Sequence, residues 1–232
     1  MKWIDDPSTD PYWNMAVDEW CLEGLEEEEK VFRLWRNEPS VIIGITQDPS
    51  AEVNLEYIRE HGIRLVRRST GGGAVYHDLQ NLNYSFAGPV DKMDSSIVEG
   101  MAVALRDLGV AAEVSGRNDI YVDGLKISGY AKRVWHNRAL IHGTLMYDVD
   151  IDTLTRALDT PESKLHRKGV ASVRSRVGNL KDLLPFGSLQ GLQDALQERF
   201  SAGDSPIAED CARIAAIRDS KYGTPEWING KF

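Results

Sequence analysis

The chain has 232 residues, of which 42% are apolar and 27% charged, a composition typical of a globular protein large enough to bury a core. Its formal net charge of −9 argues against a broad nucleic-acid surface, which needs a basic face, but is compatible with a local basic pocket. The two cysteines, Cys21 and Cys211, lie far apart without a Cys-x-x-Cys pair, so we expect neither a disulfide framework nor a structural zinc site.

The N-terminal residues do not resemble a signal peptide, because Asp5 and Asp6 make the segment acidic at once. No apolar run approaches the length of a membrane span. We therefore expect a soluble, cytoplasmic protein with no membrane or nucleic-acid partner. The absence of repeats, low-complexity tracts and linkers predicts a single domain over residues 1–232.

Apolar periodicity and turn residues predict the secondary structure in chain order. Helices are predicted over residues 11–25, 54–61, 95–108, 151–158, 189–200 and 211–217. Strands are predicted over residues 31–35, 40–45, 63–66, 74–76, 81–86, 110–114, 125–131 and 139–149. A turn at residues 37–39 joins the first two strands, and the Asp123–Gly124 pair indicates a β-hairpin.

The densest pattern of functional residue types is Arg67-Arg68-Ser69-Thr70-Gly71-Gly72-Gly73-Ala74-Val75-Tyr76-His77-Asp78. Three adjacent glycines allow positive φ and close approach to a ligand, and successive free N–H groups can hold an oxyanion. Two arginines stand at the mouth of this loop, and their planar guanidinium groups bind carboxylates and phosphates bidentately. We favour a loop that closes over an anionic small molecule; the alternative is a flexible hairpin with solvated arginines. The pattern is neither a dinucleotide fingerprint nor a phosphate loop ending in Gly-Lys-Ser/Thr.

Lys126 follows the predicted hairpin turn and lies within a strand. One interpretation is a solvated edge lysine. The other is a cation that points into the cavity of the glycine loop and stabilises a developing anion. Spacing alone leaves both open.

Two further segments, around His142 and over residues 164–176, contain residue types that are common in functional sites. His142 and Gly143 lie inside a predicted strand, where a glycine indicates a bulge or close backbone approach and the histidine is most simply a core residue. Residues 164–176 form a local basic segment with little apolar periodicity. That segment is either a solvated connection or a lid that folds over a phosphate-bearing intermediate and excludes water.

Taken together, these motifs resemble those of the lipoate–protein ligases, within the biotin/lipoate ligase group. The resemblance covers nearly the whole chain and rests on short motifs that occur in the family's order. They are the 67–78 segment, Asn81, Ser115-Gly116-Arg117-Asn118-Asp119-Ile120, Lys126-Ile127-Ser128-Gly129, His142-Gly143-Thr144-Leu145, Ser172-Val173-Arg174-Ser175-Arg176-Val177 and Lys221-Tyr222-Gly223-Thr224-Pro225-Glu226-Trp227.

The resemblance implies an α+β fold: a mixed, largely antiparallel sheet flanked by helices, like the catalytic core of biotin ligases and class II aminoacyl-tRNA synthetases. It also implies two half-reactions. Lipoate and ATP, with Mg²⁺, give lipoyl-adenylate and pyrophosphate. The lipoyl group then passes to one lysine of a carrier, an E2 subunit of a 2-oxoacid dehydrogenase or the glycine-cleavage H protein. The apolar slot for the lipoyl tail has four candidates: Trp35, Ile43, Tyr76 and Tyr84.

Carried over by position, the resemblance implies a catalytic role for Lys126, which would contact the carbonyl and bridging oxygen of the adenylate. It implies that lipoate or adenylate is bound by Arg68, Thr70, Gly71, Gly72, Gly73, His77, Asn81, Asn118, Asp119, Ser128, Gly129, Ala131, His142 and Thr144. The adenylate-binding loop would include Lys168, Gly169, Ser172, Val173 and Arg174. The sequence assigns no metal ligands.

Two alternatives follow from the same group of enzymes. Its acyltransferases use a cysteine thioester without ATP, but neither Cys21 nor Cys211 falls in the motifs, which favours the ligase. A non-catalytic lipoate-binding homologue is disfavoured because both Lys126 and the glycine loop are present. Longer members carry a small C-terminal domain, and some short members need a separate protein in its place. We therefore expect that an accessory protein is required for activation here.

Overall fold

The computed structural model describes residues 1–115, 119–158, 177–202, 204–205 and 210–230. Its strands are Lys2–Ile4 (β1), Val31–Trp35 (β2), Ser40–Ile43 (β3), Arg64–Arg67 (β4), Val75–His77 (β5), Asn81–Pro89 (β6), Glu113–Ser115 (β7), Asp119–Val122 (β8), Leu125–Trp135 (β9), Arg138–Met146 (β10) and Asp204–Ser205 (β11). Its α-helices are Pro11–Glu23 (α1), Pro49–Glu52 (α2), Leu55–Glu60 (α3), Ser96–Asp107 (α4), Ile151–Ala157 (α5), Leu189–Phe200 (α6), Cys211–Ile217 (α7) and Pro225–Ile228 (α8).

The main sheet has the strand order β11-β1-β2-β6-β10-β9-β8-β7. Among the described strands of this sheet, β1 pairs in parallel with β2 and with β11, and the other strand pairs are antiparallel. This mixed, largely antiparallel sheet with flanking helices confirms the predicted α+β fold.

A second sheet of three strands, in the order β4-β3-β5, carries the glycine loop between β4 and β5. Strand β3 pairs in parallel with β4 and antiparallel with β5. The strands predicted on either side of the 37–39 turn, β2 and β3, consequently lie in different sheets. The glycine loop therefore begins and ends in the smaller sheet.

Local sequence determines where several elements begin and end. Asp10 caps α1 by accepting from the N–H of Tyr12, Pro11 occupies the first turn, and Asn54 caps α3 through the N–H of Tyr57. Asp123 and Gly124 both have positive φ, 50° and 77°, which confirms the predicted hairpin between β8 and β9. Strands β1 and β11, helices α2 and α8, and the π-helical segment Arg218–Tyr222 were not predicted.

The faces of the main sheet differ in character. One face packs Phe32, Phe86 and Ile141 against α4 and α6 in a large hydrophobic cluster. The other face packs on α1, which lies between the two sheets and buries Met15 and Trp20. That face also carries the buried polar residues Arg33, Asn83, Ser85 and His142 at alternating positions of β2, β6 and β10.

Candidate active site

Two chambers of one cleft meet between the glycine loop and strands β9 and β10. The inner chamber is lined by residues from α1, β2, β3, β5 and β10, among them Met15, Trp35, Ile42, His77 and His142. The outer chamber is lined by Glu52, Tyr76, Asn81, Asp119 and Ser128, among others. Six residues border both chambers and mark their junction: Gly73, Ala74, Val75, Lys126, Gly129 and Thr144.

Lys126 points into this junction and is held there by Asp119. Its Nζ lies 2.7 Å from Asp119 Oδ1, and the two side chains are 34% and 21% exposed. Lys126 is thus a partly buried, ion-paired cation and not a solvated edge lysine. Its backbone oxygen accepts from Gly178 N at 3.0 Å, which ties β9 to the chain that follows residue 177.

Gly129 leaves the space that the lysine occupies. A Cβ atom at this position would lie 2.9 Å from Lys126 Nζ and 3.0 Å from its Cε. Gly129 N donates to Thr144 Oγ1 at 3.3 Å, which holds this part of β9 against β10. The Lys126 side chain can occupy this position beside β9 only because residue 129 has no side chain.

The glycine loop presents its backbone to the cleft, as its composition predicts. Gly72 has a φ of 94°, a conformation that favours glycine, and residues 71–73 are exposed. Arg68 donates to the carbonyl oxygens of Gly71 and Gly73 at 2.7 and 2.8 Å. Within the described part of the chain, no acceptor is bonded to the N–H groups of residues 71–73. These donors are available to an anionic ligand.

The two arginines do not stand at the mouth of the loop as anion-binding forks, which corrects the expectation from sequence. Arg68 is 6% exposed, its Nη1 donates to Ile42 O at 3.0 Å, and burial lowers its pKa to about 10. Arg67 is 1% exposed and makes six hydrogen bonds to the backbone oxygens of Gly44, Ile45, Gln47, Trp227 and Ile228. Both guanidinium groups are buried and bind backbone carbonyls. Arg68 shapes the loop directly, whereas Arg67 fastens the end of β4, from which the loop begins.

A buried polar network supports the inner chamber. His142 Nδ1 lies 2.8 Å from Asp18 Oδ2, and His142 Nε2 lies 2.8 Å from Thr70 Oγ1. Asp18 also pairs with Arg33 at 3.3 Å and accepts from Ser85 Oγ at 2.7 Å. Since Thr70 Oγ1 accepts from Arg68 Nε at 3.0 Å, its own hydrogen is free for His142 Nε2. The network therefore joins α1 and the main sheet to the glycine loop.

The predicted site residues are distributed over the cleft as follows. Arg68, Gly72, Gly73, His77, Gly129, Ala131, His142 and Thr144 line the inner chamber, while Gly73, Asn81, Asp119, Ser128, Gly129 and Thr144 line the outer one. Thr70 is buried behind the loop, and Gly71 lies exposed on it. Asn118 and the loop residues Lys168, Gly169, Ser172, Val173 and Arg174 fall outside the described residues.

Sequence reasoning missed several residues of the cleft wall. Met15, Ile42 and Tyr130 line the inner chamber, and Glu52 and Val177 line the outer one. Of the four residues suggested for an apolar slot, Trp35 and Tyr76 lie in these walls. Ile43 and Tyr84 are fully buried, and the described walls do not include them. Met15, Ile42, Trp35 and Tyr76 have the periodicity of core residues, so no local signal identifies them as part of a cleft.

The fold and the cleft define a class of protein: an α+β domain whose two-chambered cleft has a lysine and a glycine loop at its junction. The chain belongs to a known family of such domains, the lipoyl protein ligase A/B catalytic domain, which it matches over residues 10–201.

Two curated relatives carry the same assignment in their names. Lipoate-protein ligase LplJ of Bacillus subtilis is 46% identical over 190 residues, which cover 79% of this chain and 57% of the relative. Lipoate–protein ligase 1 of Staphylococcus aureus is 39% identical over 244 aligned positions, which cover 100% of this chain and 74% of the relative. The chain thus spans somewhat more than half the length of the first relative.

Solved structures with the same fold include three that bear on ligands and partners. A bi-partite lipoate protein ligase of Thermoplasma acidophilum, described together with its E2 lipoyl domain, has a TM-score of 0.88 at 32% identity, covering 100% of this chain and 96% of that one. A lipoate protein ligase structure from T. acidophilum with bound lipoic acid has a TM-score of 0.85 at 30% identity, covering 99% and 98%. Lipoate-protein ligase A bound with ATP has a TM-score of 0.86 at 29% identity, covering 100% and 99%.

Proposed function

We propose that this chain is an ATP-dependent lipoate–protein ligase that forms lipoyl-adenylate and transfers the lipoyl group to a lysine of a carrier domain. The observation that carries the proposal is the position of Lys126. Its side chain lies at the junction of the two chambers, which the glycine loop also borders through Gly73, and its ammonium is paired there with Asp119. The relatives named for this activity, and the solved structures with lipoic acid or ATP, support it.

The division of the cleft fits the chemistry. A carboxylate is a poor electrophile, so it must become a mixed anhydride with phosphate before an amine can attack it. The acyl chain would lie in the inner chamber, with its carboxyl group at the junction and the nucleotide in the outer chamber. Lys126 would then face the oxygens that carry negative charge in both half-reactions, and Gly73 would approach the same group. A closed, dry site would protect the anhydride from water.

The outer chamber offers few carboxylates for a metal ion. Glu52 and Asp119 lie in its wall, and no cluster of three metal-binding side chains occurs in the described ranges. Mg²⁺ is commonly bound by one or two carboxylates plus substrate phosphates, so these residues fit an ion that arrives with ATP.

Asn81 Oδ1 lacks a hydrogen-bond partner among the described residues and would accept from the nucleotide side. Leu158 and Val177, which flank residues 159–176, both line this chamber, in keeping with an adenylate-binding role for residues 164–176.

The proposed partners are lipoyl carrier domains. The T. acidophilum ligase was described with its E2 lipoyl domain, and we extend this to E2 subunits and the glycine-cleavage H protein. Because that ligase is bi-partite, we also propose that a separate accessory protein assists activation. No described helix is both long and apolar enough to cross a bilayer. A cytoplasmic location and a single catalytic domain over residues 1–232 remain part of the proposal.

The main alternative is an acyltransferase that works through a cysteine thioester. Such a cysteine needs access to the cleft and an accessible thiolate. Cys21 is fully buried on α1, where burial raises the pKa of its thiol to about 12. Cys211 begins α7 and lines neither chamber. This geometry favours the ligase.

The test is ATP–pyrophosphate exchange driven by lipoate or by octanoate, measured for the purified chain with and without the proposed accessory protein. We expect exchange with either acid. Lys126→Ala should abolish it and Lys126→Arg should reduce it, both at unchanged thermal stability. Full exchange in Lys126→Ala would overturn the role of the lysine. A lipoate-binding homologue without catalysis would bind lipoate with little loss in Lys126→Ala and would show no exchange under any condition.

Whether an accessory protein is needed is tested with lipoate, Mg²⁺, ATP and an unmodified carrier domain. We expect the isolated chain to transfer from supplied lipoyl-adenylate much faster than from free lipoate and ATP. Equal rates at an ordinary enzymatic turnover would exclude the requirement.

A further inference from the structure

The buried carboxylate of Asp18 is connected to the glycine loop although it lines neither chamber of the cleft. Asp18 lies on α1 and is 2% exposed. Its Oδ1 accepts from Arg33 Nη1 at 3.3 Å and from Ser85 Oγ at 2.7 Å. Its Oδ2 lies 2.8 Å from His142 Nδ1. Because His142 lines the inner chamber, Oδ2 is the atom through which Asp18 acts on the cleft wall.

The carboxylate determines which nitrogen of His142 carries a hydrogen. Asp18 is paired with the guanidinium of Arg33, and an ionised carboxylate can only accept hydrogen bonds. His142 Nδ1 must therefore carry the hydrogen that bonds to Oδ2. In the neutral ring, Nε2 is then an acceptor, and it lies 2.8 Å from Thr70 Oγ1.

Thr70 is the residue through which this imidazole holds the glycine loop. Its Oγ1 accepts from Arg68 Nε at 3.0 Å, so its own hydrogen is left for His142 Nε2. The same guanidinium donates to Gly71 O at 2.7 Å, and that peptide group carries the N–H of Gly72. Bonds that begin at the imidazole therefore help to set the direction of a loop amide.

The order of carboxylate, imidazole and hydroxyl is that of a nucleophilic triad, but Thr70 is not placed to attack a substrate. The residue is 1% exposed and lines neither chamber, and its Oγ1 is bonded to Arg68 and His142. The three groups consequently hold a hydroxyl in place, and their effect is on the position of the loop.

We propose that Asp18 is a positioning residue of the ligase: by fixing the tautomer of His142, it makes Nε2 the acceptor that holds Thr70 and keeps the glycine loop in the conformation that binds the acyl phosphate. The inference rests on the proposed function and deepens it. In that function the loop amides face charge that develops during adenylation, whereas the inner chamber binds the acyl chain. Loss of the loop's position should therefore lower kcat and leave the KM for lipoate nearly unchanged.

The variant that tests this role is Asp18→Asn, which keeps the shape of the side chain. Ser85 Oγ accepts from Trp35 Nε1 at 2.9 Å, so its own hydrogen is directed to residue 18. Ser85 and Arg33 both donate to the Oδ1 position and retain the amide oxygen there, which places the amide NH₂ group opposite His142 Nδ1. The imidazole must then carry its hydrogen on Nε2, which can no longer accept from the loop.

Two measurements are made on the same proteins. ¹⁵N-histidine NMR reports the tautomer of His142, whose signals are assigned by their loss in His142→Gln. The hydrogen should be on Nδ1 in the wild-type chain and on Nε2 in Asp18→Asn. Lipoate-driven ATP–pyrophosphate exchange, with the proposed accessory protein present, should lose on the order of 10- to 100-fold in kcat in Asp18→Asn, with the KM for lipoate within about threefold.

The matched control is Ser85→Ala, which removes a hydrogen bond to Oδ1 but leaves Oδ2 beside His142. It should lower thermal stability and keep both the wild-type tautomer and the wild-type kcat. An equal loss of kcat in Ser85→Ala would overturn the inference, because the loss would then follow stability and not the tautomer.

The remaining outcomes separate the inference from the proposed function. A hydrogen on Nε2 in the wild-type chain, an unchanged tautomer in Asp18→Asn, or a changed tautomer at wild-type kcat each overturns the role of Asp18, and the ligase proposal stands if the wild-type chain exchanges pyrophosphate. No exchange by the wild-type chain, even with the accessory protein, contradicts the ligase proposal and the positioning role that rests on it. Should Asp18→Asn not fold, Thr70→Val decides, since it removes the hydroxyl that His142 holds: kcat should fall as strongly, and a wild-type kcat would overturn the inference.

Discussion

Replacing Gly129 with alanine should separate catalysis from folding. The new Cβ would lie 2.9 Å from Lys126 Nζ, 3.0 Å from Lys126 Cε and 3.4 Å from Asp119 Oδ1. Ordinary contacts between such atoms are about 3.5–4 Å, so the lysine tip must move by roughly 0.5–1 Å. A misplacement of about 1 Å at a reacting group can cost on the order of 10²-fold in rate.

The effect on stability should be small, because the clash is with the end of a flexible side chain. An off-rotamer lysine costs roughly 0.5–1.5 kcal/mol, and a Gly-to-Ala change recovers about 0.4–1 kcal/mol through the unfolded state. We therefore expect the free energy of unfolding to change by less than about 1 kcal/mol, measured by urea denaturation. Lipoate-driven ATP–pyrophosphate exchange should fall by roughly 10²-fold.

Gly187→Ala is the matched control, since a Cβ there meets no atom within 4 Å. It should leave both quantities unchanged. The reasoning is refuted if Gly129→Ala exchanges pyrophosphate within threefold of wild type, because the lysine would then tolerate displacement. It is equally refuted if the activity loss merely tracks a large loss of stability.

Three further predictions concern groups behind the cleft. Arg67→Met should destabilise the fold by roughly 2–4 kcal/mol in urea denaturation, since five backbone oxygens each lose the hydrogen bond from the guanidinium, and Arg67→Lys should recover part of this with its three N–H groups. Wild-type stability in Arg67→Met would contradict a structural role for these bonds. Cys21→Ala should retain exchange activity, measured at saturating lipoate, whereas complete inactivation of a stable variant would revive the thioester alternative. Because the native pKa of His77 is about 3 and that of the unfolded ring 6.5, only the unfolded state binds a proton between these values. The free energy of unfolding should therefore decrease as pH falls below 6.5, by about 2 kcal/mol between pH 7 and 5 from this group. His77→Phe should show a decrease that is smaller by this amount. A decrease as large as that of the wild type would disprove the low native pKa of His77.

Much of the local structure follows from the sequence. Asn54, Asp123 and Gly124 mark a helix start and a hairpin through their own side chains or backbone preferences, and the structure follows them. The alternation of Asn83 and Ser85 with Leu82 and Tyr84 correctly marks a strand with two different faces. Boundaries of this kind depend on interactions within a few residues, so a single sequence suffices to predict them.

Which sheet each strand joins is harder to predict from local sequence patterns. Strands β2 and β3 are close in sequence, yet they belong to different sheets because α1 lies between them and needs an apolar surface on each side. Met15 and Ile42 reach the inner chamber only through this arrangement. Met15 and Ile42 recur at the spacing typical of core residues, and the cleft lies within this part of the core.

The two arginines show why residue type alone misdirects the prediction of function. A guanidinium beside a glycine loop suggests an anion site, because carboxylates and phosphates match its fork. Carbonyl oxygens match it too, and a loop that exposes free N–H groups must direct its carbonyls elsewhere. Arg68 takes the carbonyls of Gly71 and Gly73, and Arg67 takes those of the adjoining 44–47 turn and of α8. In the proposed function the loop therefore binds the anion through its amides. Arg68 supports this by binding Gly71 O, on the opposite side of the peptide group that carries the Gly72 N–H.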